Sequence, residues 1–208
     1  MKTKNIQRVA LVGGGVIGSG WATRCLAHGL SVVVTDPSPA AAEMVLKTVD
    51  SAWPILEGAG LGEKADRSKL EFAPDIETAV ADADFVQENV PEREDLKIAV
   101  HEEIGRHAKD DIVVASSSSG LLPSRLQSRC RRPERLVIGH PFAPVYLLPL
   151  VEVVGGEQTA SSLCVPRVRS TARSACARCM SERKSRLILP IDSRSRFTGK
   201  HFTSSMTV

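Results

Sequence analysis

At roughly 100–200 residues per domain, a chain of 208 residues holds one generous α/β domain, or one domain with an appendage. Apolar residues make up 42% and charged residues 25%, an ordinary globular balance, while 4% aromatic leaves few rings for base stacking and argues against a single-strand nucleic-acid binder. The net charge of +3 hides an asymmetry, because residues 1–157 carry 17 Lys/Arg against 22 Asp/Glu and residues 158–208 carry 10 against 2.

The first apolar run, Val9-Ala10-Leu11-Val12, stops at Gly13-Gly14-Gly15, after which Val16, Ile17, Trp21, Ala22, Cys25 and Leu26 recur at helical spacing. Gly29 is placed to end that helix, Leu30 to Val34 form a second β-branched run, and Asp36-Pro37 closes it. The first 36 residues therefore predict a βαβ unit. Helices are predicted over Pro39 to Thr48 and, separately, Trp53 to Leu61; then a strand at Leu70 to Phe72, a helical turn at Ile76 to Val80 and a strand at Phe85-Val86. Leu96 to Ile104 has helical periodicity, Ile112 to Ala115 is a buried-strand run, and four serines with Gly120 follow it. Leu136 to Ile138 and Leu150 to Val154 are the last clear strands. Strands alternating with helices in this way predict an α/β fold of the Rossmann type, a doubly wound and mostly parallel sheet whose ligands sit at the carboxyl ends of the strands.

Gly13-Gly14-Gly15-Val16-Ile17-Gly18 fits G-x-G-x-x-G directly after a strand and at the mouth of a helix, with Asp36 at the end of the next strand. In such a loop Gly13 permits the tight turn, Gly15 lets the backbone approach a pyrophosphate, and Gly18 permits close contact of helix and strand. The helix N-terminus then meets phosphates with free N–H groups and a positive dipole end. Asp36 suits two ribose hydroxyls and repels a 2′-phosphate, so the expected cofactor is NAD rather than NADP. His140 follows one buried-strand run and Glu152 lies within another, where a buried carboxylate needs a partner and an imidazole is the natural one. Beside an NAD loop, such an imidazole suits the base that alcohol oxidation requires.

These residues, with Ser116 to Gly120 and the words His140-Pro141-Phe142 and Val151-Glu152-Val153, resemble the 3-hydroxyacyl-CoA dehydrogenase family. Gly18-Ser19-Gly20-Trp21-Ala22, Ala52-Trp53-Pro54, Pro91 to Lys97, Ser119 to Ser124 and Val145 to Leu150 are most similar to its carnitine-oxidising branch, and the similarity spans residues 6–159. The resemblance implies oxidation of a small 3-hydroxy acid, carnitine to 3-dehydrocarnitine, with His140 as general base, Glu152 orienting it and Ser119 bonding the substrate oxygen. It also implies that Glu92 and Lys97 touch the cofactor, although as residues each reads equally as a solvated charge at a helix start. Two positions depart from the pattern. Ala143 stands where the family usually has Asn and cannot donate to the nicotinamide carboxamide, and Ser118 replaces a Thr. Of the rings available to a trimethylammonium group, Tyr146, Phe142 and Trp21, the last is expected in the core. A CoA ester would instead need a cationic groove, for which Lys47, Lys64, Arg67 and Lys69 are available, and a non-catalytic NAD-binding fragment is the reading outside enzymology.

After Glu157 the pattern collapses, Ser and Arg supplying 18 of the last 51 residues. The resemblance implies a further helix and strand there, then an all-helical domain that completes the substrate pocket and a homodimer. Reading codons 170–193 one frame over permits YRTIGMRPMHVRKEIPAHIADRL, which is similar to the family's continuation. The expected domain organisation is therefore residues 1–159 as a Rossmann domain incomplete at its C-terminal end, and 160–208 as a basic, disordered, out-of-frame tail. An uncovered sheet face, no dimer surface and a tendency to aggregate are the expected consequences. Five cysteines at irregular spacing imply neither a disulfide framework nor a metal site, Cys176 and Cys179 forming only a lone C-x-x-C. No run reaches the roughly 18 apolar residues of a membrane span and no cleavage site follows the basic start, so the cytoplasm is the expected compartment, without membrane or specific nucleic-acid partners.

Overall fold

A computed structural model describes residues 6–163 and 184–186. The apolar run becomes β1 (Arg8–Val12), and its alternate side chains feed two cores. Val9 and Leu11 join Trp21, Leu26, Val32, Val34, Val45 and Trp53 on one face, while Ala10 and Val12 join Val33, Val80, Val86 and Ile104 on the other. A strand covered on both faces must be apolar at every position, which is why the run is continuous rather than alternating. The helix α1 (Val16–Ala27) follows, Gly29 turns the chain at φ +81°, and β2 (Ser31–Thr35) pairs parallel to β1.

The two helices expected between Pro39 and Leu61 are one, α2 (Ala41–Ala59), with Pro54 inside it. Proline costs about 3 kcal/mol in a helix interior. Burial of Val45, Val49 and Trp53 against α1, each contributing about 1.5–3 kcal/mol, outweighs that cost and carries the helix across it. Next come β3 (Leu70–Phe72), α3 (Ile76–Val80), β4 (Phe85–Glu88), α4 (Glu94–His107), β5 (Val113–Ser116) and the short α5 (Pro123–Leu126). Asp75 caps α3 by accepting from the Thr78 N–H at 2.8 Å. The helix α5 was not expected; it is a single turn begun by Pro123, too short for periodicity to reveal.

The strand β6 (Leu136–Pro141) is parallel to β5, but β7 (Val151–Gly155) runs antiparallel to β6. Residues 142–150 are too few for the crossover of a dozen or more residues that a parallel return demands. A short β8 (Lys184–Arg186) pairs antiparallel with β7, within the stretch expected to be irregular. Residues 160–163 of that stretch are described and end in a short 3-10 turn, Ser161–Leu163, while the remainder, with Cys164, Cys176 and Cys179, lies outside the described residues. The sheet order is β3-β2-β1-β4-β5-β6-β7-β8, a Rossmann-type doubly wound sheet in which β1 and β4 are parallel neighbours and the order of strand addition reverses between them. A crevice opens there, at the carboxyl ends of the strands. Among the described residues no helix is long and apolar enough to cross a membrane, and no three His, Cys, Asp or Glu side chains cluster to hold a metal.

Candidate active site

The crevice is a cavity of about 850 Å³ whose walls include Gly13, Gly15, Val16, Ile17, Asp36, Glu92, Lys97, Ser119 and His140. Gly13 has φ +101°, and a Cβ there would lie 2.8 Å from the Asn89 carbonyl. A Cβ on Gly18 would meet the Gly13 oxygen at 1.9 Å. A Cβ on Gly15 would meet nothing within 4 Å of the protein, so this glycine is required by no packing within the chain and leaves open the approach to α1. Gly15 N-caps α1 without a side chain, and the first turn carries no acid, so its N–H groups and positive dipole end face the cavity uncompensated. Those features fit a pyrophosphate. Asp36 accepts from Gly14 N at 2.7 Å and Ser38 N at 2.8 Å, which fixes the carboxylate at the cavity edge and leaves lone pairs for hydroxyl donors. Gly14 and Gly18 stand behind the wall, as supports of the loop.

His140 and Glu152 occupy directly opposed positions of β6 and β7, so the pleat sends both side chains to one face. Nδ1 of His140 lies 3.2 Å from Oε2 of Glu152. With a carboxylate as acceptor, Nδ1 carries the hydrogen and Nε2 is the free acceptor. The sequence reading expected Glu152 to be buried; its side chain is 52% exposed, because nothing among the described residues closes over that face of β7. Phe142 packs beside the imidazole at 5.7 Å between ring centroids, and its outer surface is open. Trp21 is in the core, as expected.

Ser119 lines the cavity at the end of β5, and Glu92 explains why its loop is fixed. One Glu92 oxygen accepts from the Ser118 hydroxyl at 2.6 Å, Ser119 N at 3.0 Å and Gly120 N at 3.1 Å. Burial pushes the Glu92 carboxyl up, but the Ser118 hydroxyl, the Gly120 N–H and Lys97 outweigh it and hold it below the ordinary value. Lys97 is not a solvated charge. Its side chain is 1% exposed, and Nζ donates to Glu88 Oε1 at 2.7 Å and Val90 O at 2.9 Å.

Sequence reasoning missed Glu88, Asn89 and Ser117. Ser117 donates to Asn89 Oδ1 at 2.6 Å, and both line the cavity. The available signal was the polar end of an otherwise apolar strand, Phe85-Val86-Gln87-Glu88. Of the cations considered for a CoA groove, none lines this cavity: Lys69 donates to Gly29 O at 3.1 Å, and Arg67 pairs with Asp50 and lies over Trp53.

Comparison with known proteins agrees with the Rossmann-type fold. A family model described as 3-hydroxyacyl-CoA dehydrogenase, NAD binding domain, matches residues 8–175. L-carnitine dehydrogenase of Burkholderia mallei is 57% identical over 155 residues, covering 74% of this chain and 48% of the relative. L-carnitine dehydrogenase of Bacillus cereus is 51% identical over 160 residues, covering 77% and 49%. Among solved structures, 5-formyl-3-hydroxy-2-methylpyridine 4-carboxylic acid 5-dehydrogenase, an NAD-dependent dismutase, is 36% identical with a TM-score of 0.70, covering 76% of this chain and 52% of that one. Escherichia coli 3-hydroxybutyryl-CoA dehydrogenase is 27% identical with a TM-score of 0.70, covering 77% and 34%. The chain spans about half the length of the curated relatives it matches. With the glycine loop, its acid and the fold in register over these residues, the chain belongs to the family of NAD-binding domains of 3-hydroxyacyl-CoA dehydrogenases.

Proposed function

We propose that this chain is the cofactor-binding half of an NAD-dependent dehydrogenase that oxidises the 3-hydroxyl of a small hydroxy acid, carnitine, to 3-dehydrocarnitine. The observation that carries the reading is the His140–Glu152 contact of 3.2 Å, with His140 in the wall of the cavity that the glycine loop opens. Bound NAD supplies the hydride acceptor. The loop Gly13 to Gly18 and the α1 N-terminus hold the pyrophosphate, and Asp36 takes the ribose hydroxyls. Ser119 donates to the substrate oxygen, and His140 Nε2 accepts the hydroxyl proton as the C–H bond gives up its hydride. Glu152 keeps Nδ1 protonated and balances the imidazolium that forms.

Carnitine is favoured over a CoA ester by the 51–57% identity to relatives named for it and by the engagement of Lys69 and Arg67 elsewhere. The family's homodimer is proposed only for the full-length protein. The test has two arms. NADH fluorescence titration of the 208-residue chain should saturate, and NAD reduction should then depend on carnitine and not on 3-hydroxybutyryl-CoA. Reduction with the CoA ester alone would reassign the substrate, and NADH binding with neither substrate active would leave a binding module.

A further inference from the structure

Beneath the cavity floor lies a buried charge network that the mechanism does not use. Glu88, at the end of β4, is 0% exposed and has both oxygens engaged. Oε1 accepts from Lys97 Nζ at 2.7 Å and Val90 N at 2.7 Å; Oε2 accepts from the Ser116 hydroxyl at 2.5 Å. His101 Nε2 lies 3.2 Å from Oε2, without good hydrogen-bond alignment. Burial pushes the Glu88 carboxyl up, and His101 and Lys97 outweigh it. A charge this deep persists only when fully paired, so its neighbours are held to one geometry.

Lys97 itself lines the cavity, and one further link carries the network to the serine loop. Lys97 Nζ lies 3.6 Å from Glu92 Oε2, and Glu92 gathers Ser118, Ser119 and Gly120. Lys97 is thus shared between a buried carboxylate and a half-open one. Glu88 ties together the ends of β4 and β5 and the first turns of α4, the three elements on which the serine loop rests. We propose that Glu88 is a positioning residue: through Lys97 it fixes Glu92, and so holds the Ser119–Gly120 loop at the cofactor cavity. The proposal rests on the reading that this cavity binds a dinucleotide.

The test uses the whole chain with Glu88→Gln and with the charge-balanced pair Glu88→Gln/Lys97→Met. Glu88→Gln alone strands the Lys97 ammonium and should lower the melting temperature. The pair should recover stability, yet amide hydrogen exchange at Ser119 and Gly120 should stay faster than wild type, because the loop has lost its anchor; NADH should bind about tenfold more weakly to Glu88→Gln alone, which keeps the cavity-lining Lys97. Recovery of slow exchange along with stability in the pair would make Glu88 a structural ion partner only and overturn the proposal, as would a folded Glu88→Gln that exchanges and binds like wild type. Faster exchange in the pair, in a chain whose wild type does not bind NADH, would retain the loop's anchor and overturn the dinucleotide reading instead.

Discussion

His140 and Glu152 face one another across an antiparallel strand pair, Nδ1 to Oε2 at 3.2 Å, although twelve residues separate them in sequence. The pairing follows from strand register and not from any local motif. A one-residue slip of β7 would send Glu152 to the opposite face of the sheet and leave the imidazole without its acid.

Removing the proposed base, His140, should therefore cost more than removing its proposed partner, Glu152. A general base contributes about 10²–10⁴-fold to rate, and His140→Ala should lose a factor in that range. Glu152 is half exposed, so water replaces part of its role, and Glu152→Gln should lose about tenfold. Neither variant should alter NADH affinity, since neither residue belongs to the glycine loop. Carnitine-dependent NADH formation beside NADH titration checks both statements.

Two glycines of the loop, Gly15 and Gly18, should separate binding from folding. Gly15→Ala adds a Cβ that meets no protein atom, so stability should change by less than about 1 kcal/mol while NADH binding falls sharply. Gly18→Ala drives a Cβ into the Gly13 carbonyl and should cost about 1–3 kcal/mol or more of stability. Thermal melts and NADH titrations of the two variants provide the comparison.

Asp36→Ser should reduce discrimination against NADPH, because the charge that repels a 2′-phosphate is gone. Loss of the carboxylate that accepts from Gly14 N and Ser38 N should also weaken NADH itself, so the ratio of NADPH to NADH dissociation constants is the informative readout.

Much of this site was legible because its signals are local. The glycine loop, Asp36 and the word around His140 each declare themselves within a few residues, and each sits at a strand end. The pairing of Lys97 with Glu88 was illegible for the opposite reason. A lysine one turn into a charged helix reads as solvated, and only the placement of α4 over the end of β4 buries it. The continuity of α2 through Pro54 and the antiparallel turn into β7 were likewise settled by packing and loop length rather than by propensity.

Glu88 and Glu92 both titrate below the ordinary glutamate value in the folded chain. A depressed carboxylate contributes stability that is fully present above its unfolded value, about 4.3, and is lost as pH falls through the folded one. The urea midpoint should thus hold on the neutral side of that value and fall below it. Glu92→Gln should flatten part of that fall.

The loop between β6 and β7 leaves Phe142, Leu147, Leu148 and Leu150 between 36% and 43% exposed. Exposed apolar side chains gathered on one loop favour association. Size-exclusion chromatography should show concentration-dependent self-association that Leu147→Ser/Leu148→Ser reduces, and an unchanged elution profile would remove this loop as its cause.

The proposed removal of a proton from carnitine by His140, with hydride passing to NAD, is most directly tested in a single turnover, with the chain in excess over NAD and the absorbance of NADH followed after adding carnitine. A rise in wild type that His140→Ala abolishes, with NADH affinity equal in the two, is the predicted result. An equal rise in the variant, or no rise in a wild type that binds NADH, would contradict it.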